Sequence, residues 1–262
     1  MYLIDSHCHI SHLDKGQKAV IDCAFKAGVE KFINVACQLD EFQASLDLAK
    51  KYEFIWSTAG IHPTMLTDNM EEDLKWIRDF AAREDRVVAI GEIGLDYYHD
   101  KFPHDKQEAF FVAQLDIARE LGLPAIIHLR SSKNPGGNEK VFVDALQILE
   151  RENFSNGVAH CFSGNMIEAE KLLDLGLMMS FTGIITYQNN EDLRDVIKMV
   201  PLDRMMLETD SPYLTIESRK GQPGEPADVK VIAETVARVK NVPFEEVSRI
   251  TTANAERFFS LQ

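Results

Sequence analysis

Two histidines, His7 and His9, close a short apolar run in "MYLIDSHCHI". Side chains two apart on a strand share a face, so both imidazoles turn one way and Cys8 turns the other. That is a chelating pair, two neutral nitrogens offered to one ion. Four more ionisable residues each end an apolar run: Glu92 in "GEIGLD", His128 in "PAIIHL", His160 in "AHCFSG" and Asp210 in "LETDSP". Burying such groups without partners is costly, and one shared partner accounts for all of them. Four imidazoles and two carboxylates exceed what a single tetrahedral ion takes. They suit two divalent ions bridged by a carboxylate, an arrangement that clamps phosphoryl oxygens and activates water.

Such convergence needs elements that bring scattered strand ends to one place. Eight short runs rich in Val, Ile, Phe and Met read as strands: "YLIDSH", "KFINVAC", "FIWSTAG", "VVAIGEIG", "PAIIHL", "GVAHCF", "GLMMSF" and "RMMLETD". Stretches of helical period separate them. Val20, Cys23, Ala24 and Ala27 share one helical face and Gly28 stops that helix; Phe111, Leu115 and Ala118 form another stripe that stops at Gly122. After the eighth strand, Val229, Ile232, Ala233 and Val236 mark a helix, and a last one runs from near Pro243 to Phe258. Alternation of this kind predicts parallel pairing through right-handed crossovers. Eight units in 262 residues predict an α/β fold of the (β/α)8 TIM-barrel type, one domain over 1–262. In that barrel the C-terminal strand ends form the active-site mouth, where all six residues fall.

With "GIHP" at Gly60–Pro63 and "EPADV" at Glu225–Val229, these motifs resemble the TatD family of metal-dependent deoxyribonucleases, within the amidohydrolase-like barrels, over essentially the whole chain. The resemblance implies that His7 and His9 hold one metal, with Asp210 as a further ligand that orients the attacking water. It implies that Glu92 bridges both metals and that His128 and His160 hold the second. The implied cofactor is two divalent ions: carboxylate and water favour Mg2+ or Mn2+, imidazole favours Zn2+, and the ligand set leaves the choice open. Related barrels acting on phosphotriesters or lactones bridge their metals with a carboxylated lysine, and "VVAIGEIG" contains no Lys. The implied activity is therefore phosphodiester hydrolysis at DNA ends, single-stranded or frayed, as an exonuclease. The alternative is an amidohydrolase or esterase acting on a small molecule; a third reading is a silent partner-binding scaffold.

His62 and Arg130 are expected to contact substrate phosphate, Arg130 through its bidentate fork; the plainer readings are a turn cap for His62 and a salt bridge for Arg130. Arg219 is a third expected phosphate contact, while Lys220 reads as a solvated loop charge. The segment 131–138 departs from the family pattern and marks an expected change of specificity. Glu208 and Asp5 are expected to support ligands from behind, Cys161 to pack in the core, and His12, His99 and His104 to lie on the surface, His99 at the pocket edge. The acidic stretch "DNMEEDLKWIRD" reads as a helix start with a solvated face.

Formal charge is −14, from 28 basic and 42 acidic residues. That excludes non-specific coating of nucleic acid or anionic membrane, which rests on Lys and Arg neutralising phosphates. The four cysteines form no CxxC pair, no signal peptide is legible at the N-terminus, and Leu175–Asn190 is too short and polar to span a bilayer. A soluble cytoplasmic protein is expected, with free thiols, no membrane association and no obligatory protein partner.

Overall fold

The structure, a computed structural model, describes residues 2–13, 16–99, 101–133 and 138–261. All eight expected strands form: β1 (Leu3–Cys8), β2 (Val29–Asn34), β3 (Ile55–Ala59), β4 (Val87–Asp96), β5 (Ala125–Arg130), β6 (Gly157–Ala159), β7 (Met178–Phe181) and β8 (Met205–Leu207). They pair in parallel in sequence order as one eight-stranded sheet. The ring is drawn together at its C-terminal rim, where the His9 amide donates to the Ser211 carbonyl and the Asp210 amide to the His7 carbonyl. The fold is a TIM barrel.

Period-two alternation divides the strands' apolar residues between two cores. Ile4, Ile33, Trp56, Val88, Ile126, Val158, Met178 and Met206, one from each strand, pack together inside the barrel. Ala255 and Phe259, from the C-terminal end of the chain, join this inner cluster. The opposite set, including Phe32, Ile55, Ile90, Ile127 and Met179, packs outward against helix residues such as Ile21, Phe42, Ile77 and Phe111. The helix stops fall where the sequence puts them. Gly28 and Gly122 adopt left-handed conformations, with φ of 89° and 67°, and each closes its helix through its own amide. The acidic stretch opens the helix Met70–Arg83 with Glu71, Glu72 and Asp73 in the first turn. Among the described residues no helix is long and apolar enough to cross a membrane.

Two strands lose regular register where the candidate residues sit. β1 shifts between Asp5 and Cys8, and β4 between Ile90 and Ile93; such irregularities re-aim side chains. Past the second shift, Gly94 lies against β5 with φ 135°, and a Cβ there would stand 2.2 Å from the His128 carbonyl oxygen. Only glycine fits. Gly94→Ala is expected to destabilise the fold by about 3 kcal/mol, the upper end for overpacking, and to displace His128. Urea unfolding of the variant checks this.

Candidate metal centre

The six residues picked out at strand ends meet at the C-terminal mouth of the barrel. His7 and His9, at the end of β1, bring their Nε2 atoms to 3.2 Å. Asp210, three residues past β8, places Oδ1 3.4 Å from His9 Nε2 and 3.7 Å from His7 Nε2. Glu92 divides its two oxygens. Oε2 stands 3.4 Å from His7 Nε2, whereas Oε1 stands 2.7 Å from His128 Nδ1 and 2.9 Å from His160 Nε2. The His7 and His160 rings stack at 3.9 Å, so the two halves are contiguous. Donor atoms about 2.1 Å from a common ion stand about 3.0–3.5 Å apart, and most of these separations fall close to that range.

Outer partners fix which nitrogens are free. His9 Nδ1 donates to the Val35 carbonyl oxygen at 2.9 Å, which turns Nε2 to the Asp210 carboxylate at 3.4 Å, with a proton or a cation between them. His160 Nδ1 lies 3.2 Å from Glu208 Oε1, which orients its Nε2 toward Glu92 in the same way. His7 Nδ1 is buried with no partner among the described residues. Four carboxylates, Glu92, Asp210, Asp96 and Glu208, contact these rings, a count that matches the charge of two dications. The donor set fits divalent-metal binding.

The electrostatics point the same way. Burial works against a charged Glu92, but the surrounding histidines, His160 foremost, outweigh it and hold the carboxyl well below the usual range. For Asp210, burial is likewise outweighed, first by the bond from His9. Burial also opposes a charged His128, yet bonds to Asp96 and Glu92 prevail and raise its pKa. Glu92 and Asp210 are thus held toward the ionised form, and a ring nitrogen facing either needs a proton or a cation.

His62, in "GIHP", is brought to the same cluster. Its Nδ1 accepts from the Thr64 amide at 3.2 Å and lies 2.7 Å from Thr64 Oγ1. The remaining proton therefore sits on Nε2, which points to Glu92 Oε1 at 3.5 Å. It also serves as a turn anchor, since its carbonyl accepts from the Met65 amide. Burial, then the neighbouring His128 charge, lowers its pKa from 6.5 to about 3. Between those values the unfolded chain binds a proton that the folded chain refuses, so stability falls as pH falls through that window. In the chelator-treated chain, His62→Gln is expected to flatten this fall by at most about 1.4 kcal/mol per pH unit. Urea unfolding followed across the window tests it.

The other expected contacts divide. Arg130 is exposed at the end of β5 and stacks its guanidinium 4.2 Å over the Tyr98 ring, which Lys133 also approaches at 4.2 Å. That is a cation–aromatic contact, and among the described residues no salt bridge accompanies it. Arg219 is committed elsewhere: its guanidinium grips both Asp228 oxygens at 3.0 Å, Glu225 at 3.1 Å and the Pro223 carbonyl. It ties the loop after β8 to the start of the next helix, and those partners lie outside the histidine cluster. Glu208 supports His160 as expected and also accepts from the Cys161 amide. Among the described residues Asp5 meets no imidazole nitrogen but accepts from the His7 amide at 3.3 Å. The shift in β1 turns it sideways, where it accepts from the Thr209 amide and hydroxyl and links β1 to the segment after β8. His12 is more than a surface residue: it stacks on His9 at 5.3 Å and meets the Tyr213 hydroxyl at 2.9 Å. His104 stacks on Tyr97 at 3.6 Å. Within the atypical segment 131–138, positions 134–137 lie outside the described residues.

Two participants escaped the strand-end reading. Asp96 accepts from His128 Nε2 at 3.1 Å and from His99 Nδ1 at 2.9 Å, which puts His99 at the pocket edge. It shares parity with Glu92 on β4, so following that strand four residues further would have found it. Cys37, three residues past β2, brings its sulfur to 3.5 Å from Glu92 Oε2. Only its place after a strand end hinted at this.

Comparison with known proteins finds metal-dependent hydrolases among the relatives of the chain. The chain is 40% identical over its full length to the uncharacterized metal-dependent hydrolase YcfH of Escherichia coli K12, covering 97% of that protein. It is 34% identical, again over its full length and 98% of the relative, to the 3'-5' ssDNA/RNA exonuclease TatD of Rahnella sp. Y9602. The crystal structure of YjjV, a TatD homolog from E. coli K12, superposes with a TM-score of 0.91 at 30% identity, over 99% of this chain and 98% of that one. With the TatD related DNase profile matching residues 4–260, the chain belongs to the TatD family.

Proposed function

We propose that this single-domain chain is a divalent-metal-dependent deoxyribonuclease that trims single-stranded or frayed DNA ends as an exonuclease. The observation that carries this reading is the division of Glu92, one oxygen toward His7 and the other toward His128 and His160. His7, His9 and Asp210 with Glu92 Oε2 would hold one cation, and His128 and His160 with Glu92 Oε1 the other. When bound, divalent cations supply positive charge against the phosphoryl oxygens and acidify a water molecule. Asp210, kept ionised, orients that water and accepts its proton at a carboxylate oxygen. His62 offers its Nε2 proton to a non-bridging phosphoryl oxygen, and Arg130 draws the substrate backbone to the mouth. A net charge of −14 disfavours gripping long duplex and suits local capture of an end. The exonuclease named among the relatives supports the choice of nucleic acid. Four free cysteines support a reducing compartment, the cytoplasm.

The test is hydrolysis of end-labelled single-stranded DNA by chain reconstituted with Mg2+, Mn2+ or Zn2+, beside a panel of small amides, esters and lactones. Stepwise shortening from one end, lost on chelation, is the expected result. Intact DNA with turnover of a small amide or ester would replace this reading with the amidohydrolase one.

A further inference from the structure

Cys37 is held from both sides. Its amide donates to Glu41 Oε2 and its carbonyl accepts from the His62 amide, each at 2.9 Å. The backbone is thereby fixed and the side chain enters the mouth, 3.5 Å from the Glu92 oxygen that also faces His7. The sulfur, a ring nitrogen of His9 and a Glu92 oxygen all lie within 4.8 Å of one another. Sulfur about 2.3 Å and oxygen about 2.1 Å from a shared ion stand about 3–3.6 Å apart, so the observed S–H···O separation also fits two ligands on one centre. Independently, His9 Nε2 faces the Asp210 carboxylate at 3.4 Å beside the same position.

We infer that Cys37 supplies a sulfur donor to the ion held by His7, His9, Asp210 and Glu92, so that this position prefers a softer ion such as Zn2+ or Co2+ over Mg2+. The inference rests on the metal reading above and adds a fifth ligand to it. On binding, the metal–sulfur bond forms, the S–H bond breaks and the proton passes to solvent. Imidazole already leans toward zinc-like ions and carboxylate toward harder ones, and a thiolate tilts a mixed site further to the softer side. The two positions then differ in kind: one carries sulfur, the other only nitrogen and oxygen.

Cobalt(II) reports the two claims in separate parts of the spectrum. Visible d–d bands on titration of the full chain show that the nitrogen and oxygen ligands bind; a near-ultraviolet sulfur-to-cobalt band shows that a thiolate does. Native chain and Cys23→Ser, an exposed control on the helix Gln17–Ala27, are expected to give both. Cys37→Ser and Cys37→Ala are expected to keep the visible bands, lose the near-ultraviolet band and bind cobalt about tenfold to a hundredfold more weakly, with magnesium affinity unchanged. Visible bands without the near-ultraviolet band in the native chain overturn the inference, as does a near-ultraviolet band that survives in both Cys37 variants. Absence of both bands in the native chain sinks the metal reading itself, and this one with it.

Discussion

Glu92→Ala is expected to lower metal-dependent DNA hydrolysis by about 10³-fold or more, the largest effect of any single change. An electrostatic contact to the reacting group is worth on the order of 10²–10³ in rate, and Glu92 serves both halves of the centre. Its Oε1 alone faces His128, His160 and His62 at 2.7, 2.9 and 3.5 Å. Removing it leaves two sets of rings with nothing shared between them. Glu92→Gln keeps the shape and one carbonyl oxygen, so it separates charge from packing. Both variants are to be followed by rate and by bound metal per chain, with circular dichroism to confirm folding. Native rates in a folded Glu92→Ala chain would contradict the bridging role.

Asp210→Asn carries the second-largest effect, an expected loss of about 10²–10³-fold in rate with the fold intact. The choice of asparagine follows from the backbone. Asp210 has φ 54°, in the left-handed region that Asn and Asp tolerate better than other side chains. Alanine there would mix a backbone cost with the loss of chemistry. Asparagine keeps one oxygen for the ion but no longer accepts a proton from water. The deficit should therefore appear in kcat more than in KM. A change confined to KM would show that Asp210 binds substrate and takes no part in proton transfer.

The centre was legible where strands announce themselves. His128 and His160 end apolar runs, and an ionisable group in that place has to find a partner. The eight runs were legible for the same reason, since a strand buried on both faces reads as a continuous apolar stretch. Parity did not predict every partner. Asp5 looked like a support for His7 by counting, and it accepts from the His7 amide at 3.3 Å, but its remaining bonds go to Thr209 and none to a ring nitrogen among the described residues. Loops were the least readable. Arg219 offers the same guanidinium to a phosphate or to a carboxylate, and only the path of the chain brings Asp228 and Glu225 to it. Cys37 and His12 reach the mouth from loops that carry no periodic pattern to place them.

The central claim is that six side chains hold two cations on either side of Glu92. Anomalous diffraction from crystals of the full chain grown with Mn2+ tests it most directly. Two anomalous peaks are expected, about 3.5–4 Å apart, one beside His7, His9 and Asp210, the other beside His128 and His160, with a Glu92 oxygen on each. A single peak at full manganese occupancy, or peaks that leave Glu92 uncoordinated, would contradict the account.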